Sequence, residues 1–358
     1  MRFLFKTSYE ADIRLAKHAG HVFWYGLLMV ALVAAPFTLG AYWLTQMSMV
    51  MIYAIAGLGL MLLSGYTGLM SVGHAAFLGV GAYTQALLVG AGVPFPLALL
   101  AAALVSGAVG VVVGLPALRV KGIYLAIATL AFGFIVEEIL VRWESVTGGN
   151  GGLPVDTPSL FGMRLSGAVP LYWIVLVVTV LVTLLLLNLL RSGTGRAFIA
   201  IRDSEISAQS MGIGLARYKT MSFALSAAIV GIAGGLYAHQ MRYLSPEQFG
   251  VLVSIDLLIL IVIGGLGSLH GAFFGAIFLI ATPQLISAYK AWLPAAIGQA
   301  PGILTFVYGA VLVAVILFEP EGIYGRWRKI RTYFELFPIY RKGMLRRERT
   351  FQKSERLK

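Results

Sequence analysis

The chain has 358 residues, 59% of them hydrophobic and only 12% charged, with no cysteine and a formal net charge of +12; its mean hydropathy is +0.87. A soluble domain carries about 25% charged residues, so an ordinary cytosolic enzyme, a disordered chain and a disulfide scaffold are excluded. His18 to Leu118, 101 consecutive residues, contain no Asp, Glu, Lys or Arg, and no soluble fold of this size solvates such a stretch. Crossing a hydrocarbon core about 30 Å thick takes about 20 apolar residues of helix, so this stretch alone holds about four spans.

In chain order, residues 1–20 carry four Lys/Arg against Glu10 and Asp12. They read as a cytoplasmic lead-in rather than a cleavable leader: Ala34-Ala35-Pro36 imitates a cleavage site, but the apolar run continues past it. About ten transmembrane spans are expected, near 21–44, 47–64, 73–90, 93–115, 120–142, 169–190, 219–240, 250–266, 271–288 and 302–319. Residues 191–220 carry five Lys/Arg against two acids, and 321–358 carry twelve against four. Six spans before the central basic loop and ten before the tail put all three basic segments on one side. By the excess of Lys and Arg that side is the cytoplasm. The expected organisation is a lead-in 1–20, an all-α polytopic transmembrane domain 21–320 with a loop at about 191–219, and a basic tail 321–358. Charge so placed points to membrane orientation and anionic lipid headgroups, not to nucleic acid.

The spans at 73–90 and 250–266 are short or glycine-rich. Breaks are expected at Gly65-Tyr66-Thr67-Gly68 and Gly264-Gly265-Leu266-Gly267, since irregular backbone persists at membrane depth only where protein or a wet cavity satisfies it. Most of the 42 glycines suit close helix packing instead, as in Gly110 with Gly114, Gly231 with Gly235, and Gly271 with Gly275. His74-Ala-Ala-Phe-Leu-Gly79 and His270-Gly-Ala-Phe-Phe-Gly275 match at four of six positions, 196 residues apart. Each follows a break and opens an inside-to-outside span, which implies a parallel internal repeat, and paired breaks of this kind mark a transport pathway. The longest external loop, 143–168, is turn-rich around Thr147-Gly-Gly-Asn-Gly-Gly-Leu-Pro154. It reads either as a linker or as a docking surface.

The chain has no Gly-x4-Gly-Lys-Ser/Thr loop, no His-Glu-x-x-His pair and no nucleotide fingerprint in a strand–turn–helix context, so no cofactor, metal or catalytic role is expected. In the central loop, Asp203 or Ser204 can cap a short helix, Glu205 suits its N-terminal dipole, and Gly212 can end it. Ile206, Met211 and Ile213 give it apolar contacts. Such a helix suits a groove on a soluble partner, or it is an amphipathic connector.

Five blocks resemble the LivM-type permeases of branched-chain amino-acid ABC importers. They are Gly65–Tyr83 (GYTGLMSVGHAAFLGVGAY), Gly122–Gly133 (GIYLAIATLAFG), Thr147–Gly152 (TGGNGG), Arg196–Glu205 (RAFIAIRDSE) and Ile263–Gly275 (IGGLGSLHGAFFG). They occur in order over roughly 50–290 and do not reach either end. The resemblance implies a bacterial inner-membrane protein with cytoplasmic termini. It also implies a second, LivH-like permease, two cytoplasmic ATPase subunits and a periplasmic binding protein as partners. The central loop then corresponds to the coupling element, with Arg196, Arg202, Asp203, Glu205, Met211 and Gly212 as its residues. The general importer pattern Glu-Ala-Ala-x3-Gly is not met, because the Glu205-to-Gly212 separation differs and Ser207 replaces Ala. That assignment therefore rests on the LivM-type match.

Pathway candidates are Tyr66, Ser71, His74, Tyr83, Thr84, Asp256 and His270. Each has a bland alternative. A buried histidine is commonly a satisfied structural group, and membrane-helix hydroxyls bond back to their own helix. Asp256 is the strongest candidate, because an intramembrane acid is costly, though it can also cap a break. Scarce charge in the spans suits a transient site for a zwitterion with an apolar side chain. It equally suits urea, small amides or carboxylates. A self-sufficient channel or secondary transporter using Asp256 as an ion site, and a membrane anchor without transport, are the rival readings.

Overall fold

A computed structural model describes residues 19–120, 122–160, 163–164, 166–290, 303–319 and 321–336. Most of the lead-in, and the tail beyond 336 with its Arg346–Arg349 run, lie outside the described residues. The apolar helices are α1 (Ala19–Thr38), α2 (Ala41–Leu60, continued by a π-helical turn Met61–Tyr66), α3 (His74–Gly90), α4 (Phe95–Gly114), α5 (Ile123–Arg142) and α6 (Ala168–Arg191). After the loop helices α7 (Gly193–Asp203) and α8 (Glu205–Ser210) come α9 (Leu215–Met241), α10 (Val251–Gly264), α11 (Leu269–Lys290), α12 (Ile303–Phe318) and the amphipathic α13 (Gly322–Leu336).

Seven helices among the described residues are long and apolar enough to cross a membrane, and Val22–Thr38 and Thr305–Val315 are apolar but shorter. Each of the ten expected segments holds a helix, seven of them reaching the length and apolarity of a span among the described residues, and the boundaries shift. The first ends at Thr38 rather than 44, because extended Gly40 starts a new helix at Ala41. The segments 73–90 and 250–266 are continuous helices. The irregular backbone precedes the former and follows the latter.

Helix α9 is the centre of the bundle and packs on α4, α3 and α2. The glycine spacings account for the closeness. A Cβ at Gly110 would meet Ala227, and one at Gly275 would meet the backbone of Leu260. Hence α4 lies on α9 and α11 on α10 with backbones near contact, the packing open to small residues where lipid supplies no hydrophobic drive. The Tyr172 hydroxyl donates to Leu32 O at 2.8 Å and ties α6 to α1. Outward positions on α4 and α5, such as Leu100, Leu104, Phe134 and Ile135, are exposed, as expected of a surface solvated by lipid.

At one end of the bundle, the 143–168 segment makes one helical turn (Glu144–Thr147) and a short strand pair. Strand β1 (Leu153–Pro154) pairs antiparallel with β4 (Tyr243–Leu244), beyond the β2 (Ser159–Leu160) and β3 (Met163–Arg164) ribbon. Thr147 Oγ1 donates to Leu140 O at 2.6 Å, and Tyr243 donates to Gly151 O. The glycine-rich turn is thus fastened to the ends of α5 and α9.

Candidate functional site

At the opposite end, the two expected breaks lie side by side. The first follows the π turn. It is stitched by Thr67 Oγ1 donating to Leu62 O (3.0 Å), Ser64 Oγ donating to Leu69 O (3.0 Å), and Gly68 in the left-handed region at φ +76. The second is Gly265–Ser268, with Gly265 at φ +116 and Gly267 at φ +79. Gly267 N–H donates to Met61 Sδ at 3.2 Å. A Cβ on Gly65 would stand 2.9 Å from Gly267 N, so this meeting requires glycine. Both copies of the six-residue repeat follow these breaks, His74 as the first residue of α3 and His270 as the second of α11.

The two histidines have different surroundings. His74 is fully buried. Its Nε2 lies 2.8 Å from Ser226 Oγ and its Nδ1 2.7 Å from Ser71 Oγ, while Ser226 donates to Gly59 O at 2.7 Å. Since Ser226 spends its proton on Gly59, Nε2 carries the hydrogen and Nδ1 accepts from Ser71. Every polar atom of His74 is satisfied, and α2, α3 and α9 are pinned together. His270 is exposed. Tyr25 Oη is 2.6 Å from its Nε2, and the Tyr324 ring stacks on it at 5.4 Å and 4°, so it joins α1, α11 and α13.

The remaining pathway candidates are dispersed. Tyr66 is half-buried at the first break. Thr84 donates back to Val80 O at 2.7 Å within α3, the local bonding that its bland alternative describes. Tyr83 is buried against Phe249, and its hydroxyl has no partner among the described residues. Asp256 is half-buried on α10. Tyr66, Ser71, His74 and His270 therefore gather around the breaks, and Tyr83, Thr84 and Asp256 do not.

The loop between α6 and α9 packs on the breaks. Ser204, extended at φ −163, caps α8 by accepting from Ser207 N at 3.3 Å, and Gly212 leaves it at φ +83. The expected short helix is present with those residues in those places. Helix α7 was not legible: Gly193-Thr-Gly is a poor helix start, and the helix forms because Ala197, Phe198 and Ile201 are buried against the bundle. Ile206 and Met211 make no such contact and are 82% and 81% exposed. Two of the loop's charges, Arg202 and Glu205, instead make contacts to the bundle. Arg202 Nη1 donates to Gly65 O at 3.1 Å while its Nε and Nη2 meet Asp203 Oδ1, each at 3.1 Å. Glu205 Oε1 is 2.6 Å from Lys219 Nζ, and the Lys219 side chain is 3% exposed. Arg196 is exposed and reaches Arg191 O at 3.4 Å. Lys219 and Ser226 were not among the sequence candidates. The available signal for Lys219 was its place as the last charge before 22 uncharged residues of α9.

Comparison with known proteins fits this arrangement. The family described as "Branched-chain amino acid transport system / permease component" matches residues 42–316. The chain is 33% identical over 321 residues to the high-affinity branched-chain amino acid transport system permease protein LivM of Salmonella typhimurium, covering 83% of this chain and 73% of that protein. LivM of Escherichia coli K12 matches to the same extent. The autoinducer 2 import system permease protein LsrC of Escherichia coli K12 / DH10B is 26% identical over 306 residues, 82% of this chain and 85% of that one. No solved structure matches. With seven membrane-length apolar helices among the described residues, paired glycine breaks and a family match over most of its length, the chain belongs to the branched-chain amino acid transport system permease component family.

Proposed function

We propose that the chain is one transmembrane permease subunit of an ABC importer in a bacterial inner membrane, with both termini cytoplasmic. With a second, LivH-like permease it forms the pathway for branched-chain amino acids. A periplasmic binding protein delivers the substrate, and two separate ATPase subunits supply the energy. The observation that carries this reading is the loop. Ile206 and Met211 stand exposed on a base that Arg202, Glu205 and Lys219 hold to the bundle. A rigid apolar projection fits a groove on a soluble subunit. Nucleotide binding there would bias the membrane helices by differential contact with two states.

The test is reconstitution of the chain with its second permease and ATPase subunits in proteoliposomes. ATP-dependent uptake of labelled leucine, isoleucine and valine is expected only when the binding protein is present. Replacing Ile206 and Met211 by serine should weaken co-purification of the ATPase subunits by at least about tenfold, the scale set by losing two buried apolar anchors. Uptake without ATPase subunits would sink the proposal in favour of a secondary transporter. The likeness to LsrC, a permease named for autoinducer 2 import, favours a second reading at the level of cargo, in which the same machine carries a small solute other than a branched-chain amino acid. A substrate panel on the binding protein separates the two.

A further inference from the structure

The contacts of Arg202 exceed what fixing a loop requires. It lies one residue before the end of α7 and two before the cap of α8. Its guanidinium donates to the carbonyl of Gly65, one of the orphaned acceptors where the π turn ends, and a cation is favourable at that negative helix terminus. Its stem lies on Gly68: a Cβ there would stand 2.9 Å from Arg202 Cγ. A Cβ on Gly267 would lie 3.5 Å from Arg202 Nη1, so the same side chain also borders the second break. Apart from Arg202, the described ties between the breaks are Gly267 N–H to the sulfur of Met61, a weak acceptor, and the Tyr66 hydroxyl with the Leu269 backbone. The bond from Arg202 adds a charge-assisted tie at this junction, stronger in kind than a sulfur contact.

We infer that Arg202 is a positioning residue that fastens the α7–α8 loop to both glycine breaks at once, so that displacement of α8 moves the start of α3 and the start of α11 together. This inference rests on the importer reading and assigns Arg202 an inward role, distinct from the outward contact made by Ile206 and Met211. Asp203 holds the guanidinium in its plane and leaves Nη1 for Gly65. A lysine there would retain the charge and one donor but could not bond Asp203 and Gly65 in the same geometry.

The chain contains no cysteine, so paired cysteines carry spin labels without background. Met70 at the first break and Gln209 on α8 are both exposed. In the assembled importer, labels at M70C and Q209C report whether loop and break move together when nucleotide binds. The expected result is a nearly constant separation in the native background. In the Arg202→Ala background, nucleotide should change that separation, ATPase subunits should still co-purify, and uptake and the stimulation of ATP hydrolysis by loaded binding protein should fall at least about fivefold, the low end of measured site-to-site couplings. Arg202→Lys should fall between the two. Native uptake in Arg202→Ala overturns the inference. So does loss of ATPase association, which would make Arg202 an outward contact. Should Arg202→Ala not fold, Arg202→Lys decides: native coupling overturns the inference, and impaired coupling with intact assembly supports it. If the unmodified complex shows no ATP-driven uptake, the importer reading fails instead.

Discussion

The bonds of His74 are those of the structural alternative that the sequence left open. A histidine beside a break, repeated in kind at His270, reads from sequence either as a pathway group or as a satisfied structural one. Its two serines make it a cross-brace between α2, α3 and α9. His74→Ala leaves Ser71 without its buried partner and opens a void, at a cost of about 1–3 kcal/mol for the orphaned group. Ser226→Ala orphans both His74 Nε2–H and Gly59 O. Thermal unfolding in detergent should show both variants destabilised, and the double variant less than the sum, because one chain of bonds is being cut twice. A pathway role would appear instead as a changed half-saturation of uptake with stability kept. The Glu205–Lys219 pair makes a second residue-scale case. The Lys219 side chain is 3% exposed and that of Glu205 25%, so Glu205→Gln strands the more deeply buried charge. Removing one partner of a buried pair costs up to about 3–5 kcal/mol. Glu205→Gln should therefore destabilise more than Lys219→Met, and the double variant should recover most of the loss. Unfolding midpoints for the four members of that cycle check the ordering.

At the scale of elements, the spans were legible because hydropathy is a property of each segment alone, and twenty apolar residues have few other uses. The cap at Ser204 and the exit at Gly212 were legible for the same local reason. The glycine pairs predicted close helix contact, and the Gly271–Gly275 face does lie on α10. Gly275→Ala should then push α11 off the Leu260 backbone and cost about 1–3 kcal/mol, the usual penalty for overpacking. Substituting Gly309, where a new Cβ meets nothing within 4 Å, is the control in the same unfolding assay. What the sequence did not disclose was long-range. Gly65 and Gly267 are 202 positions apart, and nothing in either motif says that they touch. Arg202 read as a loop charge facing a partner, because the direction of a side chain depends on what the loop packs against. Helix α7 was hidden because burial of Phe198 and Ile201 overrides a poor local propensity.

For the molecule as a whole, every functional proposal depends on which side of the membrane the loop occupies. The breaks, the α7–α8 loop and α13 share one end of the bundle, and the 143–168 segment with its β1–β4 pair occupies the other. In the proposed orientation, drawn from the basic residues of 191–220 and 321–358, the first end faces the cytoplasm. Because the chain is free of cysteine, single substitutions test this directly. Asn150 and Ser210 are exposed at opposite ends, separated in the chain by α6. In intact spheroplasts a membrane-impermeant maleimide should label N150C and leave S210C unmodified until the membrane is opened. Labelling of S210C alone would invert the orientation and remove the loop from any cytoplasmic ATPase. Labelling of both would mean that α6 does not span. Labelling confined to N150C would leave Ile206, Met211 and the Arg202 tie on the side where ATP is available.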